Sequence, residues 1–317
     1  MTAKYLVTGG AGFIGSHVVT RLVELDESVR VIDNHLTGRP SNLEHVAEHV
    51  EIIEGDIRDP EALRRSMEGV DVVFHLAALP SVPRSIADPV PTHDINVMGT
   101  LQVLVAARDA SVRRVINSSS SSIYGDSEVL PKHEGLPPHP KSPYAASKRA
   151  AEEMCRIFWE VYGLETVSLR YFNVFGPRQD PTSQYSAVLP KFITAYLRGE
   201  APTIYGDGEQ TRGFTYVGNV VRANLLAAAA NASGVVGEVF NIAGDERHSI
   251  NEIAGIVHDL VGASEGVRPR YVEERAGDVR HSWADVSKAQ RRLGYRVETN
   301  TRDGLAETVE WFRTRMA

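Results

Sequence analysis

The stretch YLVTGGAGFIGSH, residues 5–17, constrains the fold more than any other part of the chain. A short apolar run ends in glycines, and a helical pattern opens directly behind them. Gly9, Gly12 and Gly15 have G-x-x-G-x-x-G spacing. Glycine permits a sharp turn and lets backbone approach a ligand closely. A helix N-terminus offers unpaired N–H groups and the positive end of its dipole, so strand, glycines and helix in this order suit a dinucleotide pyrophosphate. A glycine trio alone also fits a plain tight turn. Asp33 adds weight: it closes the next apolar run, SVRVIDN (28–34), 18 residues after Gly15. An acid at that offset suits the adenosine ribose hydroxyls and repels a 2′-phosphate, so NAD is expected rather than NADP. The other reading of Asp33 is a turn residue in DNHLTG. Gly9, Gly12, Phe13, Ile14, Gly15, Asp33 and Asn34 are the first candidate cofactor contacts.

The same alternation continues. Strand patterns are expected at 4–10, 28–34, 50–56, 70–78 (VDVVFHLAA), 112–119 (VRRVINSS) and 165–174 (ETVSLRYFNV). Helical spacing covers 13–25, with apolar residues at Ile14, Val18, Val19, Leu22 and Val23, and recurs over 95–110 and 144–163. Strands alternating with helices imply βαβ units and a parallel sheet buried on both faces. The fold class is therefore α/β, a Rossmann-like doubly wound parallel sheet with a smaller C-terminal mixed α/β domain. After about residue 175 the pattern turns to loops, such as GPRQDPTSQYS, and short elements. The expected division is residues 1–170 for the dinucleotide and 171–317 for the substrate, with GEVFNIAG (237–244) returning as a strand to the first sheet.

Composition narrows the class. The chain has 317 residues, 42% apolar and 24% charged, with a net charge of −7. That balance argues against a general nucleic-acid or anionic-membrane surface. No apolar run reaches the ~18 residues of a membrane span, and the glycine-rich start does not suit a signal peptide. The lone Cys155 permits no internal disulfide and suits a reducing compartment, so a cytoplasmic protein is expected. Cys155 lies in a helical pattern and reads as a packed thiol. His75 and His281 are isolated, and no His/Cys cluster has metal-ligand spacing, so no metal is expected.

Tyr144 and Lys148 stand four apart in SPYAASK, with Ser142 and Pro143 suited to start a helix. Residues four apart share a helix face. A phenol beside an ammonium and an oxidised nicotinamide is biased toward phenolate and can act as a base on a substrate hydroxyl. Taken alone, this pair is common on surface helices. Before it, NSSSSSIYGD (117–126) follows an apolar strand, which brings five serines to the carboxyl edge of a parallel sheet, where open α/β folds bind ligands.

Together TGGAGFIG, GDIRD, HLAA, NVMGT, SSSSSIYGD, SPYAASK, LRYFNVFGPRQ, GDGEQTRGFTYV and RAGDVRHSWADVSKA resemble the extended short-chain dehydrogenase/reductases, in the nucleotide-sugar epimerase/dehydratase branch. The resemblance implies that Asp56 and Ile57 lie along the adenine, and that Leu76, Ala77 and Ala78 pass the cofactor. Asn96 supports the site. Tyr144 is the base, Lys148 holds the nicotinamide ribose and lowers the tyrosine pKa, and Ser120 hydrogen-bonds the reacting sugar oxygen. Asn173, Arg212, Arg275 and Asp278 grip the sugar nucleotide. The implied chemistry is NAD-dependent oxidation at C4 of a nucleotide sugar, UDP-linked in the nearest types, followed by its reversal as a 4-epimerase. Loss of water, as a dehydratase, is the alternative. In related 4,6-dehydratases an Asp-Glu pair follows the active-site hydroxyl, where this chain has Ser121 and Ser122, which favours epimerisation. Ser282, just before the tryptophan of HSWAD, is small, as in relatives acting on N-acetyl sugars. The chain departs from the family at Gly213, where aspartate is common, and at Gly218. A homodimer through the helices at 95–110 and 144–163 is also expected.

Overall fold

Valine, isoleucine and leucine fill both faces of the early strands, and the chain stacks them into one parallel sheet between two helical layers. The computed structural model describes residues 4–180, 188–274 and 280–316. The elements run β1 (Lys4–Thr8), α1 (Phe13–Glu24), β2 (Ser28–Asp33), β3 (Val50–Glu54), α2 (Pro60–Met67), β4 (Val72–His75), α3 (Val82–Ala87), α4 (Pro89–His93), α5 (Gly99–Asp109), β5 (Arg114–Ser120), α6 (Pro143–Tyr162) and β6 (Glu165–Tyr171). The remainder holds β7 (Val174–Phe175), α7 (Val188–Leu197), β8 (Thr203–Tyr205), β9 (Thr211–Arg212), β10 (Thr215–Tyr216), α8 (Val217–Ala229), β11 (Glu238–Ile242), β12 (His248–Ser249), α9 (Ile250–Val261), β13 (Arg270–Val272), β14 (His281–Ser282), α10 (Ser287–Leu293) and α11 (Thr301–Met316).

The main sheet has seven parallel strands in the order β11-β6-β5-β4-β1-β2-β3. The order reverses between β1 and β4, and such a switch point opens a crevice at the carboxyl ends of the strands. On one face Val18, Val19 and Leu22 of α1 share a core with Val220, Ala223 and Ala227 of α8. On the other, Leu63 and Met67 of α2, Val103 and Leu104 of α5, and Cys155 and Phe158 of α6 pack together. Each large side chain so buried contributes about 1.5–3 kcal/mol. A third core joins α7, α9 and α11 through Phe192, Ile253, Val257, Leu305 and Phe312.

Arg114, at the start of β5, is only 2% exposed. Its guanidinium donates to the carbonyls of Ala227 (2.8 Å), Ala228 (3.1 Å) and Ala230 (2.7 Å), and it pairs with Glu165. A helix leaves its last carbonyls without partners, and a cation there also meets the negative end of the dipole. Arg114 thus closes α8 against the sheet.

Three expected elements are interrupted. The 165–174 run breaks at Phe172–Asn173, where Asn173 takes a positive φ of 37°, and β7 then pairs with β10 in a separate ribbon. The 70–78 run leaves the sheet after His75, so that Leu76, Ala77 and Ala78 can wall the crevice. The 95–110 helix opens with a π-helical turn, Asp94–Met98, that turns Asn96 inward. Its amide holds the Leu79 backbone from both sides (2.7 and 3.1 Å) and donates to Ser147 on α6 (3.0 Å).

Candidate active site

A cleft of about 760 Å³ opens at the switch point. Its first wall is the turn from β1 into α1. Gly9 has φ +69°, and a Cβ there would lie 2.7 Å from the Ala77 backbone. A Cβ on Gly15 would come within 2.1 Å of the Gly9 carbonyl. Side chains at either position would fill the cradle, so the glycines answer a steric demand. Gly12 stands at the N-cap of α1 and no side chain caps that helix, which leaves its first N–H groups available to an anion. Phe13 and Ile14 line the cleft beside them.

One end of the cleft is set by β2. Asp33 is buried, and its carboxylate accepts from the backbone N–H groups of Ala11 (2.9 Å) and His35 (2.8 Å). Two fixed donors orient it and leave lone pairs for ribose hydroxyls. Asn34 donates to Asp56 (2.8 Å), and the Arg58 guanidinium beside Asp56 holds that carboxyl down at about 2. Ile57, Leu76, Ala77 and Ala78 complete this end. Backbone donors, a glycine cradle and a buried, pre-oriented acid at the end of β2 are a donor set that fits NAD.

His75 is buried beneath this end. Thr8 and Thr100 hydroxyls flank its two ring nitrogens at 2.8 and 2.9 Å. Thr100 donates onward to the Asn96 carbonyl (2.6 Å), so the chain closes with a neutral ring whose Nε2 carries the proton. Burial lowers its pKa to about 3, in keeping with a structural role.

The chemistry-bearing groups meet at the other end. Ser142 caps α6 through the Ala145 N–H (3.1 Å), Pro143 occupies its first turn, and Gly163 ends it in the left-handed conformation. The helix therefore holds Tyr144 and Lys148 at fixed height over β5. Ser122 donates to the Ser120 hydroxyl (2.9 Å), and Ser120 lines the cleft beside Tyr144. Burial raises the phenol's pKa, while the Ser120 contact lowers it. The Lys148 ammonium is 6% exposed and donates to the Ser118 carbonyl (2.8 Å). Desolvation brings its pKa from 10.5 down to about 8, so it still carries its charge at neutral pH. Behind the serines, Ser119 donates to Glu152 (2.6 Å), which is paired at 2.7 Å with Arg170 inside the core.

The same cleft gathers Ser121, Ser122, Asn173, Arg212 and Ser282. Arg212 and Ser282 are register partners of β9 and β14, and the Gly213 N–H donates to the Ser282 carbonyl (2.8 Å). A Cβ on Gly213 would meet the Trp283 side chain at 3.3 Å, a tight contact. Arg275 and Asp278 lie outside the described residues. Lys132 and Gln179 also line the cleft; Gln179 closes the LRYFNVFGPRQ motif, whereas Lys132 comes from the LPKHE loop and carries no local sequence signal. Among the described residues, no group of His, Cys, Asp and Glu is arranged to hold a metal, and no helix is long and apolar enough to cross a membrane. The Cys155 thiol is buried and pushed up to about 12, which makes it unreactive.

Comparison with known proteins places relatives around this geometry. The family described as NAD dependent epimerase/dehydratase matches residues 5–243. The UDP-glucose 4-epimerase of Mycolicibacterium smegmatis is 38% identical over 317 residues, covering 98% of this chain and 99% of that one. The structure of UDP-N-acetylglucosamine 4-epimerase from Methanobrevibacter ruminantium, in complex with UDP-N-acetylmuramic acid, superimposes with a TM-score of 0.94 at 41% identity over 100% of both chains. The dTDP-glucose 4,6-dehydratase of Streptomyces venezuelae, solved with NAD, gives a TM-score of 0.89 at 37% identity over 98% of this chain and 97% of that one.

Proposed function

The chain belongs to the NAD-dependent epimerase/dehydratase family, and from that premise we propose that it inverts C4 of a UDP-linked hexose through a transient 4-keto sugar. One observation carries the choice of inversion: among the described residues, the only acids lining the cleft are Asp33 and Asp56, both at the end set by β2. Elimination of water needs an acid and a base beside the leaving group, and serines cannot serve as that base near neutral pH.

In this reading Tyr144 takes the proton of the C4 hydroxyl. Bound NAD supplies the hydride acceptor and later donor, and its positive ring favours the phenolate. The Ser122–Ser120 pair donates toward the phenolic oxygen and holds the sugar oxygen beside it. Lys148, charged at neutral pH, adds positive potential along the same helix face. Arg212, with Arg275 and Asp278, is proposed to hold the nucleotide diphosphate and ribose, and Asn173 to face the diphosphate. The small Ser282 leaves room for an N-acetyl group, so an N-acetyl sugar such as UDP-N-acetylglucosamine is proposed to be accepted as well as UDP-glucose.

Residues 1–170, with Glu238–Ile242, are proposed as the cofactor half and the rest of 171–317 as the sugar half. We also propose a homodimer through α5 and α6, supported by exposed Met98, Val161 and Tyr162 on and beside those helices, and work in the cytoplasm. Dehydration is the second reading, supported by the likeness to a dehydratase. Incubation with UDP-glucose, UDP-N-acetylglucosamine and their galacto epimers, read by NMR, separates the two. A product lighter by one water refutes the inversion. Tyr144→Phe should abolish turnover and leave NAD bound; surviving activity would remove Tyr144 as the base.

A further inference from the structure

We propose that Lys132 contacts the substrate's sugar and selects a hexose that bears a carboxylate. The proposal rests on the reading of the cleft as a nucleotide-sugar site and names the sugar class it prefers. Lys132 lines that cleft with Ser121, Ser122 and Ser282, and it is 2% exposed. Its backbone is stapled to the strand segment that carries Ser282. The Lys132 N–H donates to the Trp283 carbonyl (2.9 Å), and its carbonyl accepts from Asp285 (2.8 Å) and from the Asn241 amide (3.0 Å). Position and direction are thereby fixed relative to the sugar pocket.

The side chain is under-partnered. An ammonium has three donors, and here one of them is used, on the Ser127 carbonyl. Among the described residues no carboxylate forms an ion pair with it. The acid with the nearest influence, Asp126, is exposed and already bound to Lys141 (3.1 Å) and His139 (3.4 Å). Desolvation accordingly pulls the Lys132 pKa down. A buried ammonium with a single neutral acceptor is costly to hold, and a ligand that supplies the missing anion removes that cost. One unbalanced positive charge beside serine hydroxyls calls for one negative charge with several acceptor sites. A carboxylate has that chemistry, whereas the diphosphate has its own proposed cation in Arg212.

The test is calorimetric titration of the NAD-loaded Tyr144→Phe protein, which removes turnover from the readout. The probes are UDP-N-acetylglucosamine and its 6-carboxylate, UDP-N-acetylglucosaminuronate, at equal ionic strength. The carboxylate should bind about tenfold to a hundredfold more tightly. Adding Lys132→Met should erase that preference, and Lys132→Arg should keep it. Equal or weaker binding of the carboxylate to the Tyr144→Phe protein overturns the proposal without any Lys132 variant. So does a Lys132→Met protein with unchanged NAD content and melting temperature that keeps the preference. If neither sugar nucleotide binds, the nucleotide-sugar reading itself fails. If the neutral sugar binds and the carboxylate gains nothing, only the Lys132 assignment fails.

Discussion

Lys148→Met should make the cofactor-free protein more stable while it destroys activity. The wild-type ammonium is nearly fully buried, and its pKa falls from 10.5 to about 8 because desolvation outweighs the favourable pull of the Glu152 carboxylate. A displacement of that size corresponds to about 3 kcal/mol of cost for keeping the charge at neutral pH. Methionine has a similar length and no charge, so it removes the cost. It also forfeits the bond to the Ser118 carbonyl, worth about 1 kcal/mol. The balance is a gain of about 2 kcal/mol, or about 3 °C in melting temperature for a chain of this size. The sign with pH follows from linkage. The unfolded lysine titrates near 10.5 and the folded one near 8, so the unfolded state binds more protons between these values. The wild type therefore carries the whole penalty below about pH 8 and sheds it as pH rises to about 10.5. Scanning calorimetry of both cofactor-free proteins should show the variant melting higher at pH 7 and the curves converging by pH 10.5. A variant that melts lower at pH 7, or a gap indifferent to pH, would refute the reasoning. Turnover should fall at least about a hundredfold, the usual scale for an acid–base partner.

Three further outcomes follow from other parts of the molecule. Arg114→Met leaves Glu165 and three helix-terminal carbonyls without the Arg114 donor, so stability should drop by about 3 kcal/mol and the thermal midpoint by about 4–5 °C; an unchanged melt would contradict the capping role. Gly15→Ala drives a methyl into the Gly9 carbonyl, so the purified protein should lose its NAD, read as absorbance of the released cofactor; full occupancy would show that the cradle yields. Ser282→Tyr should lower kcat/KM for UDP-N-acetylglucosamine about tenfold or more while sparing UDP-glucose, and equal effects on both sugars would remove Ser282 as the gatekeeper.

Legibility in the sequence followed the locality of the signal. The β1 turn, Asp33 and the Tyr144–Lys148 face depend on spacing within a few turns of chain, and spacing is what a sequence displays. The ends of β4 and β6 depend on what the backbone must do next. His75 stops its strand so that the following alanines can wall the cleft, and Asn173 takes a left-handed turn that no periodicity announces. The helix α8 hid because it is buried on several sides: Val217, Val220, Val221, Ala223 and Ala227 leave no clean polar stripe. The helix α9 did carry a signal, the capping box of Ser249 and Glu252 in SINE, which needs only three residues of separation. Lys132 gave none, since its importance arises from Trp283 and Asp285, more than a hundred positions away.

The pairing of β11 with β6 has a consequence for how the chain comes off the ribosome. Six strands of the sheet are complete by Tyr171, yet the seventh arrives only at Glu238–Ile242. Until then the β6 edge, with Val167, Leu169 and Tyr171, presents an unsatisfied hydrogen-bonding rim to any passing extended chain. Nascent protein is exposed to wrong pairing for the time taken to add some seventy residues, about 4–14 s at ordinary elongation rates. A fragment truncated after β6 would keep that rim permanently, and intermolecular strand capture, rather than loss of a binding surface, would be its dominant fate.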